Sequence, residues 1–574
     1  MAILKVCSLF RSVCMKRIWL LVLATFALWI SLAPPVWTQC DPEELYTFTG
    51  EAWGDIFGRL VSEASAVDNY RYEYLIVGTR RNNDVGIDAD QAYVFSYQEI
   101  DSCEELYIFT GEAASYFLGV SVSGAGDVNK DGYADLIVGA HESILGAHKN
   151  DAGVSSPGRA YVYSGLTGDT LYTFTGEAAY DRLGGSVSGA GDVNKDGYAD
   201  LIVGASKNDA GGDKAGRAYV YSGQTGGLLY TFTGEAAGDE FGRSVSGAGD
   251  VNGDGYADLI VGTSLAGTGG KAYVYSGQTG GLLWTFNGEA TGDGFGCSVS
   301  GAGDVNKDGY ADLIVGAYAN DAGGYNAGRA YVYSGLTGDT LYTFTGESGY
   351  DEFGYSVSGA GDVDGDGYAD LIVGARYNDA GGSGAGRAYV YSGQTGALLY
   401  TFTGEASTDQ FGESVSGAGD VDGDGYADLI VGAVLTYTGR AYVYSGQTGA
   451  LLYTFNGEAA NDQFGCSVSG AGDVNKDGYA DLIVGARYND AGGGGAGRAY
   501  VYSCITYLCG DVNGDGIINL ADALCLAQYY FGKPCEIDLW TSDVNCDTLN
   551  NLADAMIIAK KYFGAPGVEL NCCE

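Results

Sequence analysis

Oxygen-bearing side chains stand at alternate positions of a short motif that recurs along most of this sequence. The copy that begins at Asp250 reads Asp-Val-Asn-Gly-Asp-Gly-Tyr-Ala-Asp, and its oxygen side chains belong to Asp250, Asn252, Asp254 and Asp258. Alternate residues of a tight loop can converge on one point, and oxygen ligands around a glycine-permitted bend suit Ca2+, with the Tyr256 carbonyl as a further ligand. The motif therefore predicts a calcium loop.

Seven copies share one register, each with Asp at the ninth position. One copy alone could be an acidic turn, but recurrence in register favours calcium. The predicted ligands, with each Tyr acting through its carbonyl, are Asp127, Asn129, Asp131, Tyr133 and Asp135; Asp192, Asn194, Asp196, Tyr198 and Asp200; Asp250, Asn252, Asp254, Tyr256 and Asp258; Asp304, Asn306, Asp308, Tyr310 and Asp312; Asp362, Asp364, Asp366, Tyr368 and Asp370; Asp420, Asp422, Asp424, Tyr426 and Asp428; and Asp473, Asn475, Asp477, Tyr479 and Asp481.

Composition limits the class of protein. The chain has 574 residues, 97 of them Gly, and a formal net charge of -44. Abundant Gly with many Tyr and aliphatic residues, and no G-X-Y period, favours a turn-rich all-β repeat protein. The negative charge excludes nucleic acid as a partner, and bound calcium would offset part of the self-repulsion.

The first 39 residues are typical of a secretory signal peptide. Lys16-Arg17 precedes an apolar run over 18–32, and Met15 is an alternative start. Removal of the segment is favoured over a retained anchor, so we expect a secreted, extracellular or cell-surface protein without a membrane span after cleavage. Export makes disulfides plausible among the 11 remaining cysteines.

Each repeat divides into four short strand candidates, A to D, with the calcium loop between A and B. Four strands with Gly-rich turns describe a propeller blade. A Phe-Gly or Leu-Gly pair opens strand A of each unit, at Phe57, Leu118, Leu183, Phe241, Phe295, Phe353, Phe411 and Phe464. We therefore expect a mostly β fold, an eight-bladed propeller over 40–504 with seven blades as the alternative. The first unit has Ala66, Asp68 and Tyr70 in place of ligands and should bind no metal.

Ring closure is predicted from the two ends of the repeats. The last unit lacks strand D, and a spare D-like segment, Leu45-Tyr-Thr-Phe-Thr49, precedes the first unit. Docking this segment beside the last strand C would close the ring. Cys40 and Cys504 flank the two strands, which predicts a Cys40–Cys504 disulfide in place of the missing turn.

Loops of variable length connect strands B and C, and in an antiparallel blade they share a face with the D–A links. Such loops are the default recognition surface of a repeat protein. The same face carries repeated acidic pairs such as Glu235 and Asp239, interpreted as loop hydrogen-bond acceptors, with an acidic ring or glycosidase pair as alternatives. The two histidines, His141 and His148, are both in the longest B–C loop.

A second, helical domain is predicted over 510–566, after a linker at 505–509 and before a tail at 567–574. Two twelve-residue calcium loops lie 32 residues apart, and the residues at their seventh positions would ligate through carbonyls. Each is followed by a helical stripe: Leu520, Leu524, Ala527 and Phe531, then Leu552, Met556, Ala559 and Phe563. The predicted ligands are Asp511, Asn513, Asp515, Ile517 and Asp522, and Asp543, Asn545, Asp547, Leu549 and Asp554.

These motifs resemble two known families. Phe241-Gly, Gly247-Ala-Gly and the Asp250 to Asp258 loop are similar to the FG-GAP repeats of integrin alpha-subunit propellers, which implies calcium-binding blades, although that family has seven. The duplicated loops of 510–566 resemble a type I dockerin, which implies a cohesin domain on a scaffold protein as partner. Many dockerins have Ser-Thr at loop positions ten and eleven, where this chain has Leu520-Ala521 and Leu552-Ala553.

The expected function is that of a secreted, calcium-binding, non-enzymatic binding or adhesion module. The propeller would recognise an extracellular protein or glycan through its variable loops, and the dockerin would tether it to a cohesin-bearing scaffold or cell surface. The alternative is a dockerin-borne carbohydrate-active enzyme or a polysaccharide-binding component of a cellulosome-like complex.

Overall fold

The computed structural model describes residues 44–47, 56–65, 73–82, 89–97, 101–112, 117–141, 157–263, 269–435 and 438–506, and single helical positions between 523 and 559. The chain divides into two compact units. One comprises Cys103–Thr506 and the other Met1–Ser102 with Tyr507–Glu574.

The second unit contains a four-stranded antiparallel sheet with the order β1-β4-β3-β2. In it the predicted spare strand pairs with strand C of the first repeat, as Tyr46 lies opposite Val94. Its strands are β1 (Glu44–Thr47), β2 (Ile56–Ser65), β3 (Glu73–Asn82) and β4 (Ala89–Tyr97).

The unit Cys103–Thr506 consists of seven four-stranded antiparallel sheets, which are the blades of a β-propeller. Short strands alternate with Gly-rich turns, so strands A to D follow one another in each blade. Strand β5 (Asp101–Thr110) comes first in the chain but completes blade 7. The remaining strands are β6 (Ser121–Gly126), β7 (Asp135–Ala140), β8 (Arg159–Tyr163) and β9 (Thr170–Thr175) in blade 1; β10 (Leu183–Gly191), β11 (Asp200–Ala205), β12 (Arg217–Tyr221) and β13 (Leu228–Thr233) in blade 2; β14 (Ser244–Gly249), β15 (Asp258–Thr263), β16 (Lys271–Tyr275) and β17 (Leu282–Asn287) in blade 3; β18 (Phe295–Gly303), β19 (Asp312–Ala317), β20 (Arg329–Tyr333) and β21 (Thr340–Thr345) in blade 4; β22 (Phe353–Gly361), β23 (Asp370–Ala375), β24 (Arg387–Tyr391) and β25 (Leu398–Thr403) in blade 5; β26 (Phe411–Gly419), β27 (Asp428–Ala433), β28 (Arg440–Tyr444) and β29 (Leu451–Asn456) in blade 6; and β30 (Phe464–Gly472), β31 (Asp481–Ala486) and β32 (Arg498–Thr506) in blade 7.

The prediction of eight blades over 40–504 is therefore wrong, and the alternative of seven is correct. Two segments resemble strand D and precede a Thr-Gly-Glu link, and the second of them, in β5, completes the last blade. At this seam Arg498 Nε donates to Thr110 Oγ1 at 3.1 Å, as Arg217 Nε donates to Thr233 Oγ1 in blade 2. The first repeat forms its own sheet because its strand C already has a partner in β1.

The core lies between successive blades. A Phe on strand D of each blade stacks on a Tyr of strand C in the next, for example Phe232 on Tyr275 with ring centroids 4.0 Å apart. Phe109 of β5 stacks on Tyr163 of blade 1 at 3.8 Å, so the seam between the last and first blades is packed like the others. Burial of these rings and the aliphatic strand B is the main stabilising term.

The Phe-Gly pair at the start of strand A has a packing role. Phe241 is buried between two blades, and its N–H donates to the Ala215 carbonyl at 2.9 Å. Gly242 has φ of 81°, and a Cβ there would lie 2.2 Å from the Arg217 carbonyl oxygen. Only glycine fits this approach of two backbones.

Strands A of neighbouring blades lie side by side. Val245 N–H donates to Ser186 Oγ at 3.0 Å, and Val299 N–H donates to Ser244 Oγ at 3.0 Å. Because each strand A is bonded to the one before it, these strands form the inner wall of the propeller.

Residues of the predicted second domain are helical at the few positions that are described. Leu526 and Ile558 are fully buried and Leu524 is 57% exposed, so the predicted stripe is misplaced at Leu524. A helix face advances by about 100° per residue, which makes such a stripe sensitive to a shift of two positions. Within the described residues, no helix combines the length and apolar character needed to cross a membrane.

Cysteines occupy two kinds of environment in the propeller. Cys504 is disulfide-bonded, whereas Cys297 and Cys466 carry free thiols. Cys40, the predicted partner of Cys504, lies outside the described residues, as do the ligand positions of the first repeat.

Candidate metal centres

Each predicted calcium loop of the propeller is held by hydrogen bonds from its own backbone. In the loop of blade 3, Gly255 N–H donates to Asp250 Oδ2 at 2.8 Å, Asp254 N–H donates to Asn252 Oδ1 at 2.9 Å, and Tyr256 N–H donates to Asp254 Oδ1 at 2.9 Å. Asp and Asn favour such turns because their short side chains reach backbone donors two residues further on. The turn points the first and third side chains inward.

The ninth residue of each loop opens strand B and is fully buried, as Asp258 shows. Its Oδ2 accepts from Val251 N–H at 3.0 Å, and its Oδ1 accepts from Gly277 N–H at 2.8 Å. Burial raises the pKa of Asp258 to about 6, and the two backbone donors oppose this rise. This carboxylate joins the calcium loop to the C–D turn of the same blade.

Three of the predicted side-chain ligands converge in each of the two loops that have Asp at the third position. Ligand oxygens of Asp362, Asp364 and Asp370 lie within 4.8 Å of one another. The equivalent group in blade 6 is Asp420, Asp422 and Asp428. Positions one, three and nine are thus brought together, whereas the fifth residue, Asp366, is outside this group and caps Tyr368 N–H at 2.9 Å.

The donor set fits a divalent cation. Among the residues that the structure describes, Oδ1 of the first loop residue is buried and has no hydrogen-bond partner at Asp127, Asp362, Asp420 and Asp473. A buried carboxylate oxygen without a donor is costly, and grouped carboxylates repel one another unless a cation lies between them. Calcium bound here would supply that charge and crosslink the loop to strand B.

Blade 7 differs because strand β32 continues where other blades have a C–D turn. Asp481 Oδ1 has no hydrogen-bond partner among the described residues, and Cys504 stands where the other blades have the turn glycine whose N–H binds this oxygen. Ser503 Oγ instead donates to Asp477 Oδ2 at 2.8 Å. Burial raises the pKa of Asp481 to about 7, as it does for Asp428 in blade 6, so a bound cation would help to keep both carboxylates charged.

Neighbouring calcium loops are linked directly, which the sequence did not reveal. Ala257 N–H donates to the Asp192 carbonyl of the preceding loop at 3.2 Å, and the same bond recurs at every blade junction, including Ala134 to Asp473 at 3.1 Å. Lys195 Nζ lies 3.3 Å from the Asp254 carbonyl oxygen and 4.4 Å from the centroid of the Tyr256 ring. The seven loops therefore form a continuous ring.

The fourth loop residue decides how two loops meet. Where it is Lys, the ammonium covers the next Tyr ring. Where it is Gly, the ring packs on the backbone: a Cβ at Gly253 would lie 2.5 Å from Tyr310 Cε1. The restriction of this position to Lys in four loops and Gly in three was the signal that the sequence offered.

The opposite face carries the B–C loops and D–A links, as predicted. Lys207 N–H donates to the Asp181 carbonyl at 3.1 Å, which joins a B–C loop to a D–A link. Asp181 Oδ2 accepts from Ala178 N–H at 2.9 Å and Asn208 Nδ2 at 2.8 Å, while Glu177 pairs with Arg217 at 2.8 Å. The interpretation as loop acceptors is confirmed here, because each acidic side chain already has a structural partner.

Two predicted groups fall outside the described residues: the ligands of both dockerin-like loops and His148. His141 is described and is not free of partners.

The fold and its loops define a seven-bladed β-propeller with one acidic loop between strands A and B of each blade. The FG-GAP repeat family matches residues 118–163, 183–221, 241–275, 295–333, 353–391, 411–444 and 464–502, and the dockerin type I domain family matches 509–562. The chain therefore carries seven FG-GAP repeats and a type I dockerin domain.

Integrin alpha chains are among its similar proteins. Integrin alpha-5 of Xenopus laevis is 34% identical over 229 residues, 36% of this chain and 21% of the relative. Integrin alpha-V of Gallus gallus is 34% identical over 236 residues, 37% of this chain and 22% of the relative. The aligned regions thus cover only about a fifth of the length of these curated relatives.

Proposed function

We propose that this protein is a secreted, calcium-stabilised binding or adhesion module. Its propeller binds an extracellular protein or glycan through the face of the B–C loops, and its dockerin docks on a cohesin domain of a scaffold or cell surface. We further propose nine calcium ions, seven in the propeller loops and two in the dockerin.

The observation that carries this proposal is the difference between the two faces of the propeller. One face is a ring of bonded metal loops that repeat with little change and that suit a structural role. The other face has loops of unequal length, which suit recognition. The dockerin match implies the cohesin partner.

We propose no enzymatic activity. Acidic side chains on the loop face, such as Asp181 and Glu177, are bound to backbone or Arg donors. A glycosidase needs two carboxylic groups that can exchange protons with substrate, and these groups are committed to loop structure. If the purified protein hydrolysed any polysaccharide, and if this activity remained after contaminants were removed, the proposal of no enzymatic activity would be wrong.

Tethering is tested with the full chain and a panel of immobilised cohesins. A cohesin should be bound in calcium and released by EDTA. Asp511→Ala combined with Asp543→Ala should abolish binding, because both dockerin loops lose their first ligand, whereas Asp127→Ala in the propeller should leave it unchanged. Equal binding by the dockerin variant would overturn the tethering.

A further inference from the structure

The face of the B–C loops and D–A links has one backbone scaffold that carries different side chains in different blades. In blades 2, 4 and 5, the N–H of a D–A residue donates to the carbonyl of a B–C residue: Gly238 to Asp213 at 2.8 Å, Tyr350 to Tyr325 at 2.7 Å and Thr408 to Ser383 at 2.8 Å. Two positions are thus held opposite each other while their residue types change. Variable side chains on a fixed backbone suit recognition.

Of these three blades, only blade 4 has aromatic rings at both positions. The rings of Tyr325 and Tyr350 have centroids 5.2 Å apart and an interplanar angle of 58°. Their exposed fractions are 62% and 65%, the highest among the exposed large apolar side chains that the structure describes. The two rings therefore form an open platform, which we call the Tyr325–Tyr350 platform.

Tyr350 is strained at this position. Its φ of 70° lies in the left-handed region that favours glycine. Glycine is present at the equivalent position of two other links, as Gly238 and Gly292, and a Cβ at either would meet no atom within 4 Å. A side chain here therefore enters open space and gains no core packing that offsets the strain. Strain retained for an exposed ring indicates that the ring has a function.

The charged groups of the two segments that carry the platform already have partners. Residues 318–328 and 346–353 contain no Lys, Arg or His. Their four carboxylates are paired: Asp321 with Asn326 N–H at 2.8 Å, Asp351 with Asn378 Nδ2 at 2.8 Å, Glu347 with Arg387 at 3.0 Å and Glu352 with Arg376 at 2.8 Å. Since a charged ligand is best held by an opposite charge without a partner, the platform suits a neutral ligand.

The exposed apolar surface is small. In blades 4 and 5, the other exposed large apolar side chains that the structure describes are Leu336 and Leu398, and both lie at C–D turns on the opposite face. A standard protein interface buries about 800 Å² on each side around an apolar core. Two tilted rings suit a single ring-shaped ligand better than a protein surface.

We propose that Tyr325 and Tyr350 bind a neutral pyranose ring of a glycan. The C–H groups on one face of such a sugar pack against an aromatic ring, and its hydroxyls stay in contact with water or with the Tyr hydroxyls. The inference rests on the proposed recognition function of this face and names its ligand class.

The test is calorimetric titration of the full-length, calcium-loaded protein with neutral oligosaccharides of β-linked glucose, xylose and mannose. At least one of them should bind. Tyr325→Ala and Tyr350→Ala should each weaken that binding by about tenfold or more, because one stacked ring is lost. Tyr350→Phe should retain most of the affinity, since the ring remains.

Tyr350→Gly distinguishes recognition from a structural role. It should weaken sugar binding as much as Tyr350→Ala does, but it should not lower the denaturant midpoint of unfolding, because glycine adopts a φ of 70° without strain. A lowered midpoint would mean that the ring stabilises the fold, and would overturn the inference. Thr408→Ala is the matched control at the equivalent position of blade 5, where φ is 71°, and it should leave sugar binding unchanged.

Three further outcomes would overturn the inference. If none of the sugars bound, the platform would not be a glycan site. Equal affinity in the parent protein and both alanine variants would exclude the platform while leaving glycan recognition elsewhere on this face intact. If tetramethylammonium bound in place of the sugars, the rings would be a cation site. The cohesin assay reports separately on tethering.

Discussion

Lys476 of blade 7 covers the ring of Tyr133 in blade 1, with Nζ 4.0 Å from the ring centroid. The same ammonium lies 3.2 Å from the Asp131 carbonyl oxygen. Because 345 residues separate Lys476 from Asp131, this contact exists only in the closed propeller. It repeats the contact that joins blades 2 and 3, so the ring of metal loops has no distinct break at the seam.

We predict that Lys476→Ala lowers the free energy of unfolding by about 0.5 to 1 kcal/mol, the usual contribution of an exposed cation–π contact. Denaturant unfolding in excess calcium measures it. Lys195→Ala is the matched control within the chain and should give the same loss. A normal loss at Lys195 with none at Lys476 would mean that the seam is open in solution.

Removing the first predicted ligand of one propeller loop should reduce stability more when calcium is present than when it is absent. At about 10 mM calcium, a site of extracellular affinity contributes roughly 1.4 to 2.7 kcal/mol. Asp250→Ala should lower the free energy of unfolding by about that amount, as measured by denaturant unfolding. It should also lose one bound ion, as measured by elemental analysis. Asp169→Ala is the control, because it removes the same charge from an exposed C–D turn. It should keep both its free energy of unfolding and its number of bound ions.

In EDTA the difference between Asp250→Ala and the parent protein should shrink to the contribution of the backbone hydrogen bonds that Asp250 accepts, and both should melt at a lower temperature. If the difference were as large without metal as with it, Asp250 would act only as a turn acceptor for backbone N–H groups such as that of Gly255. If elemental analysis found no calcium in the parent protein, the assignment of the loops as metal sites would be wrong.

Substitution of two glycines in one D–A link distinguishes the cost of backbone strain from the cost of a steric clash. Gly238 and Gly242 have φ of 83° and 81°, but only a Cβ at Gly242 meets the Arg217 carbonyl, at 2.2 Å, while the space around Gly238 is open. Gly238→Ala should cost about 1 to 2 kcal/mol for its left-handed conformation. Gly242→Ala should cost a further 1 to 3 kcal/mol or so for the clash. Equal melting temperatures would refute this reading of the Phe-Gly pair.

We predict that Cys103 is the disulfide partner of Cys504, because the register of blade 7, extended from Arg498 and Thr110, brings these two residues opposite each other. Arg498 bonds to Thr110; Cys504 lies six residues beyond Arg498, and Cys103 lies seven before Thr110. The extra residue matches the bulge that the other blades have between strands C and D, as at Val220/Tyr221. Peptide mapping without reduction should recover a Cys103–Cys504 pair, and recovery of Cys40–Cys504 would restore the sequence prediction.

The sequence was informative where chemistry repeats and ambiguous where two segments are alike. Alternating oxygen side chains identified positions one, three and nine of each loop, which the structure brings together at Asp362, Asp364 and Asp370. The strand that closes the ring was predicted wrongly because two segments have nearly the same strand pattern, Leu45-Tyr-Thr-Phe-Thr49 and Leu106-Tyr-Ile-Phe-Thr110. Which of them pairs with β32 depends on the geometry of the whole ring.

Strand β5 has a consequence for how the protein is made. Its partner in blade 7 begins at Arg498, which is 388 residues after Thr110. At about 5 to 20 residues per second, the ribosome needs roughly 20 to 80 s to produce that partner. During that time β5 is an unsatisfied strand edge at the front of a growing arc of blades, so biogenesis has to shield it until the final blade arrives.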